Sequence, residues 1–166
     1  MSMVIPPKHR DGDLGVLSPL KLDKNQCKDI IALHKDSQNV HKTAKIQSDG
    51  SNVVNLETRD TDVWVIHENH SWVDAIICTA ALTANHTFEL NLSGLMERPQ
   101  LLRYKAPSNG YNWHTDIGRG DASNRKISLS IILNDDYEGG ELAFFINGEQ
   151  SISPEVGDAV AFPSFL

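Results

Sequence analysis

Two regimes of hydrophobic patterning divide the chain. Residues 1 to about 16 read as a polar arm. Leu20, Leu22 and Leu33 then flank a helical pattern in which Cys27, Ile30, Ile31 and His34 recur at helical spacing, and Asp23 stands where an N-cap belongs. His34 is read as ending that helix. Residues 35–52 are polar and break at Asp49-Gly50, a turn signal. Val53 to Leu56 and Val63 to Ile66 predict short strands. Trp72 to Leu82 (WVDAIICTAAL) predicts a second helix, apolar on most faces and therefore well buried. Leu95 and Met96 then lead through Pro99 into the second regime.

From Gln100 onward the runs are short, β-branched and aromatic: QLLRY, YNWHTD, ISLSIILN, ELAFFI, QSISP and AVAFPS. Turn chemistry separates them, at Ser108-Asn109-Gly110, Gly118 to Asn124, Glu138-Gly139-Gly140, Asn147-Gly148 and Gly157-Asp158. Asn147-Gly148 between two such runs is a strong hairpin signal. Helices first, then many strands with no helix between them, predict an α+β fold whose sheets are antiparallel, a sandwich or barrel.

Length changes the picture little: 166 residues suit one domain with its own core. Charge says more. The balance of 22 acidic against 15 basic residues, net -7, argues against broad nucleic-acid binding and for solubility. Cys27 and Cys78 form no disulfide framework and read as buried free thiols. The N-terminal stretch has no apolar core of a signal peptide, and no run is long enough to span a bilayer. A soluble, cytoplasmic protein is expected.

Candidate chemistry centres on Tyr111 to Asp116. If YNWHTD is a strand, Asn112, His114 and Asp116 share one face, and Tyr111, Trp113 and Thr115 share the other. An imidazole nitrogen and a carboxylate oxygen on one face can bind one metal ion, as two of the three ligands of the facial triad of non-haem Fe(II) oxygenases. Alone, the H-x-D spacing is also accounted for by a hydrogen-bonded His–Asp pair near a loop. Farther on, Ser128, Ser130, Ile132 and Asn134 form a largely polar strand face, while Ile127, Leu129, Ile131 and Leu133 form a core face.

In order, Gln100-Leu-Leu-Arg-Tyr104, Gly110-Tyr111, His114-x-Asp116, Arg125-x-Ile-Ser128, Leu133-Asn134, Tyr137-Glu-Gly-Gly-Glu-Leu142, Pro154-x-x-Gly157-Asp158 and Phe162-Pro163-Ser164 resemble the prolyl-hydroxylase-like Fe(II)/2-oxoglutarate-dependent oxygenases, PKHD-type hydroxylases above all. Arg59-x-Thr61-x-Val63, Trp72 and Asn85 echo the family's N-terminal region more loosely. The resemblance implies a double-stranded β-helix (jelly-roll) core with N-terminal helices packed on one face. It implies one domain over 1–166, with 17–99 as helical and short-strand support and 100–166 as the double-stranded β-helix. It implies Fe(II) as cofactor, 2-oxoglutarate and O2 as cosubstrates, His114 and Asp116 as metal ligands and catalytic residues, and Tyr104 as a donor to the far carboxylate of 2-oxoglutarate. Ile132 stands where some relatives carry a second tyrosine for that carboxylate. Trp113 is expected in core packing, Gly139, Gly140 and Gly157 in turns, and Trp64 and Arg59 either on a substrate loop or on a surface strand.

The family pattern continues past Phe-Pro-Ser to a second His, the third metal ligand, and then to a basic residue that pairs with 2-oxoglutarate. Leu166 ends the sequence before that His, and no earlier His takes its place by motif. The expectation is therefore a chain that stops short of a longer protein and is inactive as it stands. The implied function is a dioxygenase that hydroxylates a prolyl or other residue of a protein or peptide. The alternatives are a non-catalytic jelly-roll binding module and, disfavoured by the charge, a nucleic-acid demethylase of the same superfamily.

Overall fold

The computed structural model describes residues 15–43, 46–48, 51–53, 61–108, 110–145 and 147–166. Helix α1 (Lys24–Ala32) starts where its cap predicts. The Asp23 carboxylate accepts from the backbone N–H groups of Asn25 (2.8 Å) and Gln26 (2.9 Å), while the Gln26 side chain accepts from Asp23 N–H. This reciprocal capping box satisfies donors the helix leaves open and contributes about 1 kcal/mol. His34 lies in the single 3-10 turn that ends the helix, its ring bonded to the Ile31 carbonyl.

Strand β1 (Leu17–Lys21) is not announced by the pattern. Pro19 lacks an N–H and interrupts the alternation. It is tolerated because β1 is an edge strand whose register against its partner shifts between Leu17 and Leu20. The polar stretch after α1 likewise holds strand β2 (Val40–Thr43) and a hairpin of β3 (Ile46–Ser48) with β4 (Ser51–Val53). Strand β2 reads as polar because it too is an edge, with Val40 itself half exposed. Asp49, Gly50 and the rest of the strand expected at Val53 to Leu56 lie outside the described residues. The second expected strand is β5 (Asp62–Val65), paired with β2 and with β6 (Gln100–Arg103).

Helix α2 (Ser71–Phe88) runs six residues past Leu82. It ends at Glu89, whose φ is 52°, and Asn85 clamps the exit: its side chain donates to Leu90 O and accepts from Leu90 N, both at 2.8 Å. Its buried Ala80 and Ala84 let the helix approach a sheet closely.

That sheet is antiparallel, in the order β1-β10-β7, with β7 at Ile127–Ile131 and β10 at Asp158–Pro163. On β10, Ala161 joins Ala84 and Phe88 of α2, with Ile127 and Leu129 of β7 packed beside them. On its other face Val160 and Phe162 pack with Phe144 of β8 (Leu142–Phe145), beside Ile152 of β9 (Glu149–Ile152). β8 and β9 form the hairpin that Asn147-Gly148 predicts, with Asn147 at φ 53°. A third cluster seats α1 on β5 and α2 through Leu22, Cys27, Ile30, Trp64, Ile66 and Val73. The two parts of the chain are interleaved: β1 completes a sheet of C-terminal strands, and β6 joins β2 and β5.

The structure thus has the antiparallel α+β character expected. Cys27 and Cys78 are both free; Cys27 is buried and Cys78 only partly so. Among the described residues no helix is long and apolar enough to cross a membrane.

Gly157 sits at φ +91°, receives Leu22 N–H at 2.8 Å and donates to Ile132 O at 2.7 Å. It ties together the ends of β1, β7 and β10. A Cβ there would lie 2.1 Å from Leu22 O. Backbone strain and this overlap together predict that Gly157→Ala costs at least about 2 kcal/mol, read as a lowered midpoint in chemical denaturation; an unchanged midpoint would contradict the junction.

Candidate metal centre

Residues 111–116 do not form a strand. Apart from one bridge at Tyr111 the segment is irregular, so the alternate-face rule does not govern it. Gly110 (φ +70°) and the downstream turns through Gly120 (φ +61°) leave it as a loop ahead of β7. The loop nonetheless brings His114 and Asp116 together: His114 Nε2 lies 3.2 Å from Asp116 Oδ1. Tyr111 does not point away, as a strand would require. Its ring stacks on His114, centroids 3.5 Å apart and planes 19° apart. Trp113 is not in the core either; it is 57% exposed and meets Phe145 edge-on at 6.1 Å.

Backbone and hydroxyl groups hold this loop against the end of the sheet. Ser164, buried just after β10, donates its N–H to Lys126 O at 3.1 Å and accepts Ile117 N–H at 2.9 Å. Ser128 on β7 hydrogen-bonds the Asp116 carboxylate, and its hydroxyl is 3.0 Å from that of Ser164. A carboxylate can only accept, so Ser128 spends its one proton on Asp116 and Ser164 donates to Ser128. Arg125 donates to Asp116 O at 2.9 Å and is itself anchored by Glu97 at 2.7 Å. Burial is the largest single influence on the Asp116 carboxyl and pushes its pKa up. The hydrogen bonds of His114 and Ser128, with the nearby charges of His114 and Arg125, outweigh it and hold the group below the ordinary carboxylate value.

The geometry fits a cation. His114 Nδ1 is 2.7 Å from Asn112 O. A carbonyl only accepts, so Nδ1 carries the proton and Nε2 keeps its lone pair unless the ring is charged. Nε2 and a carboxylate oxygen then face each other with two lone pairs at 3.2 Å. Such a contact is repulsive until something positive, a proton or a metal ion, stands at it. Two donors bound at about 2.0–2.2 Å and near a right angle lie about 3 Å apart. Among the described residues no group of three or more His, Cys, Asp or Glu side chains is placed to hold a metal.

Tyr104 stands one residue beyond β6, in the sheet β2-β5-β6, and is 44% exposed. Asp116 is supported from the other three-stranded sheet. Ile132 contributes only backbone to the Gly157 junction in the contacts described. Trp64 belongs to neither of the settings expected for it: at 8% exposure it lies within the core, stacked on His41 and under Arg103. Arg59 and His9 lie outside the described residues. His41 and His70 pair with Asp62 and Asp36. The supporting residues Ser128, Ser164 and Arg125 stood in the motif runs, but their hydroxyl chain and backbone grip carry no spacing signal.

Residues 99–166 match the family described as the 2OG-Fe(II) oxygenase superfamily. A search of curated proteins finds no match. Among solved structures the fold is similar to that of a Pseudomonas putida prolyl-4-hydroxylase, with a TM-score of 0.65, at 17% identity, over 90% of this chain and 79% of that one. The family's cofactor is Fe(II), and its cosubstrates are 2-oxoglutarate and O2. The likeness to that superfamily thus covers residues 99–166 of the chain, and the likeness to the prolyl-4-hydroxylase is one of fold.

Proposed function

We propose that the protein is a dioxygenase that hydroxylates a prolyl or other residue of a protein or peptide, with His114 and Asp116 as metal ligands and Tyr104 as a 2-oxoglutarate ligand. The observation that carries this reading is His114 Nε2 set 3.2 Å from Asp116 Oδ1, held there by partners at both ends of the loop. The shared fold with a prolyl-4-hydroxylase supports a jelly-roll core and a prolyl substrate. We take 1–166 as one domain, with residues 100–166 as that core and 17–99 as its support.

Fe(II), when bound, supplies the oxidation that couples loss of CO2 from 2-oxoglutarate to hydroxylation of the substrate. The chain's own residues do the positioning. Asn112 O fixes the imidazole tautomer, and Tyr111 keeps the ring flat. Ser128 and Arg125 keep Asp116 charged and oriented before any ligand arrives, which spares the cost of ordering it on binding. A phenol at Tyr104 can donate to a carboxylate at the tail of a keto-acid.

For a form of the protein that supplies the third metal ligand, the reading predicts Fe(II)-dependent conversion of 2-oxoglutarate to succinate. Asp116→Ala should abolish it, because a methyl group is no oxygen ligand; undiminished succinate formation in that variant would remove Asp116 from the site. Tyr104→Phe should act on cosubstrate affinity. A lost hydrogen bond to a charged group is worth about 1.5–3 kcal/mol, roughly tenfold or more in KM for 2-oxoglutarate. An unchanged KM would count against Tyr104.

A further inference from the structure

The chain's charge is not spread along it. Residues 127–166 carry seven acidic side chains and no Lys, Arg or His, so the whole net charge of -7 lies there, and the first 126 residues balance fifteen against fifteen. Two of the seven, Glu155 and Asp158, are paired with Lys21. The other five, Asp135, Asp136, Glu138, Glu141 and Glu149, are all exposed, and none has a Lys or Arg partner among the described residues. They lie on the β7–β8 connection and on the β8–β9 hairpin.

The same hairpin carries the most exposed large apolar side chain described. Phe145 is 74% exposed and pairs across the hairpin with Glu149, while its neighbour Phe144 turns inward to the core. Phe145 meets the exposed ring of Trp113, the residue next to His114. A lone surface aromatic needs no explanation. Two in mutual contact, one of them adjacent to the candidate metal ligand and the other flanked by unpaired carboxylates, form an apolar anchor within an acidic field. Aromatic anchors supply contact area at interfaces, and complementary charge steers and selects the partner.

We propose that the Trp113–Phe145 pair and the acidic β7–β8 and β8–β9 edges form a docking surface for a basic polypeptide, presenting a residue between Lys and Arg to the His114–Asp116 site. This rests on the oxygenase reading above and specifies its substrate class. A nucleic acid would be repelled by the same carboxylates.

The test uses two fluorescent peptides of about 12 residues, one with Pro set among Lys and Arg, and its twin with every Lys and Arg replaced by Glu. Anisotropy should show the basic peptide binding at low salt about tenfold or more tighter than its twin, with the advantage shrinking as salt screens it. Glu141→Gln with Glu149→Gln should reduce that advantage, and Trp113→Ala with Phe145→Ala should weaken the basic peptide about threefold or more. All four side chains are exposed, so the variants should keep the parent's thermal midpoint. Equal affinity for the two peptides, or affinity unchanged in both double variants, overturns the surface. Succinate formation without peptide, measured on a form that supplies the third metal ligand, separates this from the underlying reading. Turnover with no peptide preference would remove the docking surface alone. Preference for the basic peptide without turnover would leave the surface standing and remove the hydroxylase.

Discussion

A strand buried on both faces can meet its backbone hydrogen bonds only through the strands beside it, and β10 is placed under that constraint. Between β1 and β7 its register runs unbroken from Ala159 to Pro163 against β7. Its alternate side chains go to different partners: the small Ala159 and Ala161 are completely buried, Ala161 beneath α2, while Val160 and Phe162 fill the space under β8 and β9. Displacing β10 by one residue would exchange these two sets and put Phe162 where only a methyl fits. The register is therefore fixed by volume as much as by hydrogen bonds, and Gly157 fixes the point from which it starts.

The candidate site inherits that register. Ser164 follows β10 directly, and its two backbone bonds pin Lys126 and Ile117 on either side of the loop. The hydroxyl chain from Ser164 through Ser128 then reaches the Asp116 carboxylate. A buried core strand thus sets the position of a part-exposed carboxylate with no flexible side chain in the path. His114 is held differently, by the Asn112 carbonyl and the Tyr111 ring, both from its own loop. One ligand of the proposed metal is fixed by the sheet and the other by local loop geometry.

The sequence was most legible where local chemistry and global packing agree. Asp23 as an N-cap, Asn147-Gly148 as a hairpin turn and AVAFP as a strand each demand one local structure, and the fold uses it. It was least legible where an element is stabilised only by its neighbours. β1 carries a proline, β2 is mostly polar, and both are edge strands whose pairing no local pattern reveals. The end of α2 was hidden because Thr83 to Thr87 lack apolar periodicity; Ala84 and Phe88 reach the sheet and carry the helix on. At the site, the H-x-D pair converges as expected but not by strand alternation. Tyr111 stacks where alternation would have turned it away, because a loop imposes no period on its side chains.

The central claim is that His114 Nε2 and Asp116 Oδ1 face each other to share a metal ion and not merely a proton. Anaerobic calorimetric titration of Fe(II) in the presence of 2-oxoglutarate, on the parent protein and on Asp116→Asn, tests it most directly. The asparagine keeps the shape of the side chain and removes its charge. The account predicts one saturable site in the parent and a loss of affinity of about 100-fold in the variant, roughly 2.7 kcal/mol. Equal Fe(II) affinity in the two proteins would contradict it, leaving the contact as a hydrogen-bonded His–Asp pair.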